Sequence, residues 1–200
     1  MNDFQTFLRT RRSIRRFLGP TAKTGKPNPV PAPVIERILQ TATYAPSAHN
    51  LQPWRFVVVQ TDTAKANLGQ ALTHKMRVDM NAKSIPQADI DKRVKISLRR
   101  IAEAPAIILL CCDVTAIRAD DPEEHLMAVQ SVALAGLQLM LSAHAERLGS
   151  NWICWPLYAQ EAVRIALDVP ETWEPQAMFF LGYTDEKPVT TRDAPNIMYR

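Results

Sequence analysis

The chain has 200 residues, 24 Lys and Arg against 20 Asp and Glu, a net charge of +4 and 46% hydrophobic side chains. That composition excludes a disordered or fibrous chain and suits one sizeable core, with residues 1–200 as a single domain. Three cysteines, two of them adjacent, and four scattered histidines exclude a disulfide framework and a zinc site of ordinary spacing. They read as reduced thiols of a cytoplasmic protein.

The N-terminus lacks the apolar core of a secretory signal. Residues 3–10 form a short helix with Phe4, Phe7 and Leu8 on one side. A basic cluster follows, RRSIRRF at 11–17. It reads either as a solvated arm or nucleic-acid patch, or as a phosphate grip. No helix is striped with Lys and Arg, as nucleic-acid binding would require. Arginine forks match phosphate oxygens bidentately, and phosphate grip is the preferred reading.

Residues 19–33, with Pro20, Gly25, Pro27, Pro29, Pro31 and Pro33, form a loop. Pro33 then opens a helix over 33–44. APSAHNLQPW at 45–54 comes next. Two prolines bracket an extended loop in which Ser47, His49, Asn50 and Gln52 offer hydroxyl, imidazole and amide groups. Such a loop suits a flat heteroaromatic ligand with donors and acceptors along its edge. Residues 55–60 read as a strand whose three consecutive valines predict an interior position. Helices are expected over 62–76 and 89–102, and the patternless 76–88 between them reads as a lid, a dimer arm or a surface hairpin. A second apolar strand covers 106–112.

Asp121, Pro122, Glu123 and Glu124 start a long helix over 122–147, stopped by Gly149. It is apolar almost all round and nearly long enough to span a membrane, but Gln130, Ser131, Gln138 and Ser142 favour a buried helix. The natural cover is a second subunit. Strands over 151–155 and 176–183 flank a short helix at 160–167, and Cys154 reads as a packed strand thiol. There is no G-x-G-x-x-G, no G-x-x-x-x-G-K-[ST] and no G-x-S-x-G, so dinucleotide fingerprint, P-loop and hydrolase elbow are all excluded.

R-R-S-I-R together with A-P-S-x-x-N-x-Q-P-W resembles the signature of the nitroreductase family of FMN flavoproteins, over about residues 9–192. The resemblance implies an α+β fold, a three-layer sandwich with a mixed central sheet between helices and a long dimer-interface helix. It implies a homodimer with two FMN sites between the subunits. Arg11, Arg12, Ser13 and Arg15 would hold the phosphate and the nearby edge. Pro46, Ser47, Ala48, Asn50 and Gln52 would meet the isoalloxazine, partly from the other subunit. Arg192 would complete the phosphate site, although Thr190 stands where the family often has a second basic residue. The turn Trp155, Pro156, Leu157 and Tyr158 falls where the family brings a backbone N–H to flavin N5; Pro156 has none, so Leu157 is the expected donor.

The implied activity is ping-pong hydride transfer from NAD(P)H to a small nitroaromatic, quinone or enone acceptor, with no acid, base or metal from the chain and no nucleic-acid or membrane partner. Trp155, Tyr158 and the segment 76–88 are candidates for the acceptor pocket. LGSNW at 148–152 and WEP at 173–175 further resemble the flavin domain attached to deazaflavin-coenzyme γ-glutamyl ligases, so a deazaflavin precursor is another acceptor. The rival class is a flavin-binding protein that is not an NAD(P)H reductase, such as a flavin-fragmenting enzyme.

Overall fold

The computed structural model describes residues 2–19, 28–118 and 121–200. Pro20, Gly25 and Pro27 of the proline-rich loop lie outside these residues. In chain order the helices are α1 (Asp3–Thr10), α2 (Ala32–Ala42), α3 (Asp62–Ala82), α4 (Gln87–Glu103), α5 (Pro122–Ala145) and α6 (Gln160–Leu167). The strands are β1 (Trp54–Val59), β2 (Ala106–Asp113), β3 (Gly149–Ile153) and β4 (Trp173–Gly182). They form one sheet of order β1-β2-β4-β3.

Alternation along β2 and β4 builds two cores. Ile108, Leu110, Cys112, Phe179 and Leu181 face α2 and α5. Ile107, Leu109, Cys111, Met178 and Phe180 face α3 and α6. Every residue of β2 is buried, and this produces the expected three-layer α+β sandwich. Burial pushes the thiols of Cys111 and Cys112 up to about 12, so both are inert packing groups.

Several expectations change. Among the described residues the sheet is not mixed: all three strand pairings are antiparallel. Parallel character among them is confined to the isolated bridge Ser13↔Ser150, where the basic segment runs beside β3. The triple-valine strand β1 is an edge among the described strands, with Val58 43% exposed. Three apolar residues in a row cannot distinguish burial on two faces from burial on one plus a short edge. The segment 76–88 is mostly helical, because α3 continues to Ala82 before a turn at Ser84.

Gly149 does not stop α5. Arg147 does, in the left-handed region at φ 61°, with Leu148 N–H donating to Ala143 O at 2.8 Å. Gly149 instead begins β3, and a Cβ there would lie 2.7 Å from Ile14 Cγ2. Cys154 is exposed just past β3 rather than packed within it. The extra residue Gln176 shifts the β2–β4 register between Leu110 and Cys111, and that bulge accommodates Pro175 inside a strand.

α5 is the organising helix. Asp121 caps it, accepting from Glu124 N–H at 2.8 Å, and Pro122 opens it. Gly136 lets it approach β3 and β4, since a Cβ there would run into the Trp152 ring of β3 and sit 2.9 Å from Phe179 Cζ of β4. Trp152 fills the space beside that contact, edge-on to Phe179 with centroids 4.8 Å apart. The helix is long and apolar enough to cross a membrane, yet 44% of its apolar window is buried within this fold. Its outer face is uncovered: Leu126, Leu134 and Leu137 are 56%, 43% and 47% exposed.

Candidate functional site

The basic segment is fixed from both sides. Ile14 N–H donates to Ser150 O at 2.9 Å and Leu18 N–H to Tyr183 O at 2.8 Å. Glu186 accepts the backbone N–H groups of Arg15 and Arg16 at 2.8 and 3.0 Å, and these bonds hold its carboxyl below the usual range. One carboxylate, 171 positions away in sequence, thus clamps the backbone between two arginines. No local pattern in the sequence points to it.

Arg11 and Arg12, just before the clamped residues, meet Arg192 in space. The three guanidinium groups line one cleft with Arg9 and Thr190. Arg192 is braced by Thr190 Oγ1 at 3.1 Å and by Thr191 O at 2.8 Å. Arg11 is partly buried, and its Nη1 is the one buried side-chain nitrogen or oxygen among the described residues with no hydrogen-bond partner. Burial, followed by the charges of Arg192 and Arg12, lowers its pKa. Three cations gather here with Asp193 as the one acid in the cleft lining, and one of them presents an unmet buried donor; the excess of positive charge suits a polyanionic group. The donor set suits a phosphate monoester.

His144, near the C-terminal end of α5, joins this socket. Its ring lies 4.9 Å from that of Phe7, and its Nε2 is 3.1 Å from Thr10 Oγ1. Burial, with Arg11 and Arg12 nearby, lowers its pKa. Together with Arg11, Arg12, Arg147 and Lys187 it lines an adjoining cleft of about 440 Å³. Ser13 and Arg15 are placed differently: Ser13 pairs with Ser150, and Arg15 opens onto another surface with Arg16, Arg99 and Arg100.

The loop after α2 sits at the other half of α5. Ala48 N–H donates to Ser131 Oγ at 3.1 Å, and Gln52 N–H to Ser47 Oγ at 3.1 Å. Ser131, the polar residue on the buried face of an apolar helix, is therefore the dock for this loop. His49, Asn50 and Gln52 all have positive φ, 52°, 57° and 51°. Non-glycine residues in this region are strained, and three so close together hold the loop in a shape that its sequence does not favour locally. Asn50 and Gln52 are exposed, joined by an amide hydrogen bond of 3.3 Å.

Arg55 anchors the far end, donating to Gln52 O at 3.1 Å and pairing with Asp113 at 2.8 Å. Burial pushes the Asp113 carboxyl up, but the Thr115 hydrogen bonds and Arg55 outweigh this and hold it low. Trp155, Pro156 and Leu157 form a 3-10 turn in which Leu157 N–H donates to Cys154 O at 3.2 Å.

A strained amide loop thus stands at one end of the long helix of this α+β protein and a polycationic socket at the other. The chain belongs to the nitroreductase family, whose model matches residues 8–183. YfhC of Bacillus subtilis (strain 168), provisionally named an NAD(P)H nitroreductase, is 29% identical over 191 residues, 94% of this chain and 88% of its own. The 5,6-dimethylbenzimidazole synthase of Rhodospirillum rubrum is 29% identical over 181 residues, covering 88% and 80%. The crystal structure of a provisional nitroreductase with FMN from Desulfovibrio desulfuricans superposes with a TM-score of 0.71 at 23% identity, over 97% of this chain and 93% of that one.

Proposed function

We propose that the protein is a homodimeric oxidoreductase that holds FMN and passes electrons from NAD(P)H to a small nitroaromatic, quinone, enone or deazaflavin-type acceptor. The observation that carries this reading is the orphaned Nη1 of Arg11, a residue that lines one cleft with Arg12 and Arg192, in a chain of this family. A phosphate monoester fits that donor set in charge and hydrogen-bonding capacity. FMN, when bound, supplies hydride transfer at its ring, with donor and acceptor using one pocket in turn.

The chain's contribution is grip and orientation. Arg11, Arg12 and Arg192 hold the phosphate end, while Ser13 fixes the basic segment against Ser150 and Arg15 opens onto another surface. Pro46, Ser47, Ala48, Asn50 and Gln52 present a strained edge of donors and acceptors to the ring. The turn of Trp155, Pro156 and Leu157 lines the ring face. For its amide to serve as a donor to the ring, Leu157 must share or release Cys154 O, a long bond at 3.2 Å.

The dimer reading rests on α5. The loop docks at Ser131 and the socket gathers at His144, about 20 Å further along the helix at 1.5 Å per residue. The exposed Leu126, Leu134 and Leu137 share this helix. Packing two such helices antiparallel about a two-fold axis covers that stripe. It also carries the loop of one subunit toward the socket of the other.

The test is the visible spectrum of the purified protein, followed by anaerobic NADH and NADPH. The reading expects a yellow dimer bleached by at least one of them; a colourless protein that ignores added FMN refutes it. A second reading, flavin fragmentation, is favoured by the equal identity to the dimethylbenzimidazole synthase. It expects loss of the flavin itself under air, read by chromatography of the released products.

A further inference from the structure

A separate cleft of about 470 Å³ lies between the α3–α4 hairpin and the Trp155–Tyr158 turn. Its apolar lining comes from Met76 and Met80 of α3, Ile96 of α4 and the Trp155 ring. Its rim is cationic: Lys75, Lys83, Arg93 and Arg100. Asp79 is the one acidic residue in the lining, and it is already paired with Lys75. Lys83, Arg93 and Arg100 make no ion pair among the described residues. Arg77 of the same hairpin, by contrast, is neutralised by Asp91.

Helical spacing explains the arrangement. Arg93, Ile96 and Arg100 stand three and then four positions apart on α4, so a cation, an apolar contact and a second cation share one face. Met76 and Met80 form the matching apolar pair on α3. A surface hairpin needs none of this, since solvated lysines and arginines on outward faces would serve solubility as well. Here the cations instead surround an apolar slot of small-molecule size, where low-dielectric walls focus their field.

We propose that this cleft selects acceptors with a carboxylate on a planar apolar body. The inference rests on the reductase reading, which it deepens by naming the acceptor class. Methionine thioethers and Trp155 take the ring. Arg93 and Arg100 take the carboxylate, whose two oxygens match a guanidinium fork. A nucleic acid does not fit a slot of this size. A second source of anion does: the additional phosphate of NADPH.

The experiment uses the full-length protein with its flavin and two acceptors of one shape, 4-nitrobenzoate and 4-nitrobenzamide. Calorimetry gives their affinities and steady-state rates give their KM values. The wild type is expected to favour the carboxylate by about tenfold, and R93Q/R100Q to erase that preference, the scale of one charge-assisted hydrogen bond. R93K/R100K is expected to restore part of it. An unchanged carboxylate preference in R93Q/R100Q overturns the proposal. So does a change confined to discrimination between NADH and NADPH, which assigns the cations to the donor. The outcome is separable from the flavin reading. A colourless protein that still prefers the carboxylate by calorimetry sinks the reductase and keeps the cleft, whereas a yellow, active protein without the preference does the reverse.

Discussion

Arg11→Met separates binding from folding at one residue. Arg11 has a buried Nη1 without a partner among the described residues and a pKa lowered by burial and by Arg192 and Arg12. An unmet buried donor opposes folding by about 1–3 kcal/mol, and methionine keeps much of the stem's packing while removing the donor and the charge. Because the site is only partly buried, we take the low end, about 1 kcal/mol of stabilisation. For a chain of this length that raises the melting temperature by about 2–4 °C. Flavin binding moves the opposite way: losing a charged hydrogen-bond donor to phosphate weakens it by about 1.5–3 kcal/mol, on the order of 10- to 100-fold in Kd. The assay is thermal unfolding of the apoprotein with and without added FMN, together with fluorescence titration. A variant that melts lower as the apoprotein and binds FMN as well as wild type would refute the reasoning, because Arg11 would then be a structural residue.

Four further outcomes are expected. Leu134→Glu with Leu137→Glu places two charges on the outer stripe of α5 and should give a monomer by light scattering, with FMN lost alongside. Gly149→Ala puts a methyl 2.7–2.9 Å from three atoms of Ile14; overpacking of this kind destabilises by about 1–3 kcal/mol, read by denaturant titration. Arg55→Ala leaves Asp113, 5% exposed, without its cation and frees Gln52 O. Arg55 is itself about one-third exposed, so we expect a loss of about 1–3 kcal/mol rather than the full effect of a buried pair, and faster FMN release. His144 has a folded-state pKa below its unfolded value, so its contribution to apoprotein stability is present above the unfolded pKa and falls as pH drops through the folded one. A bound phosphate reverses part of that shift. FMN affinity should therefore rise as pH falls below the ordinary histidine value of 6.5, and His144→Asn should flatten the titration.

The sequence by itself determined the local elements. Asp121 and Pro122 place the start of α5 to the residue, and the 3.6-residue period places α2 and α6 within two residues. The alternation of β2 could not show as a pattern, because both faces of that strand are buried. Spacing of the arginines and of the amide loop identified the family, but not which groups meet. Tertiary structure alone decided that His144 joins Arg11, Arg12 and Arg192, and that Arg15 turns elsewhere. It also decided that Arg147, rather than Gly149, ends α5, and that the triple-valine strand is an edge. The physical reason is common to all of these. A side chain's direction at the site is set by hydrogen bonds across long separations, such as Glu186 to the backbone of Arg15 and Arg16, or Ala48 to Ser131. Periodicity within a short window carries no information about them.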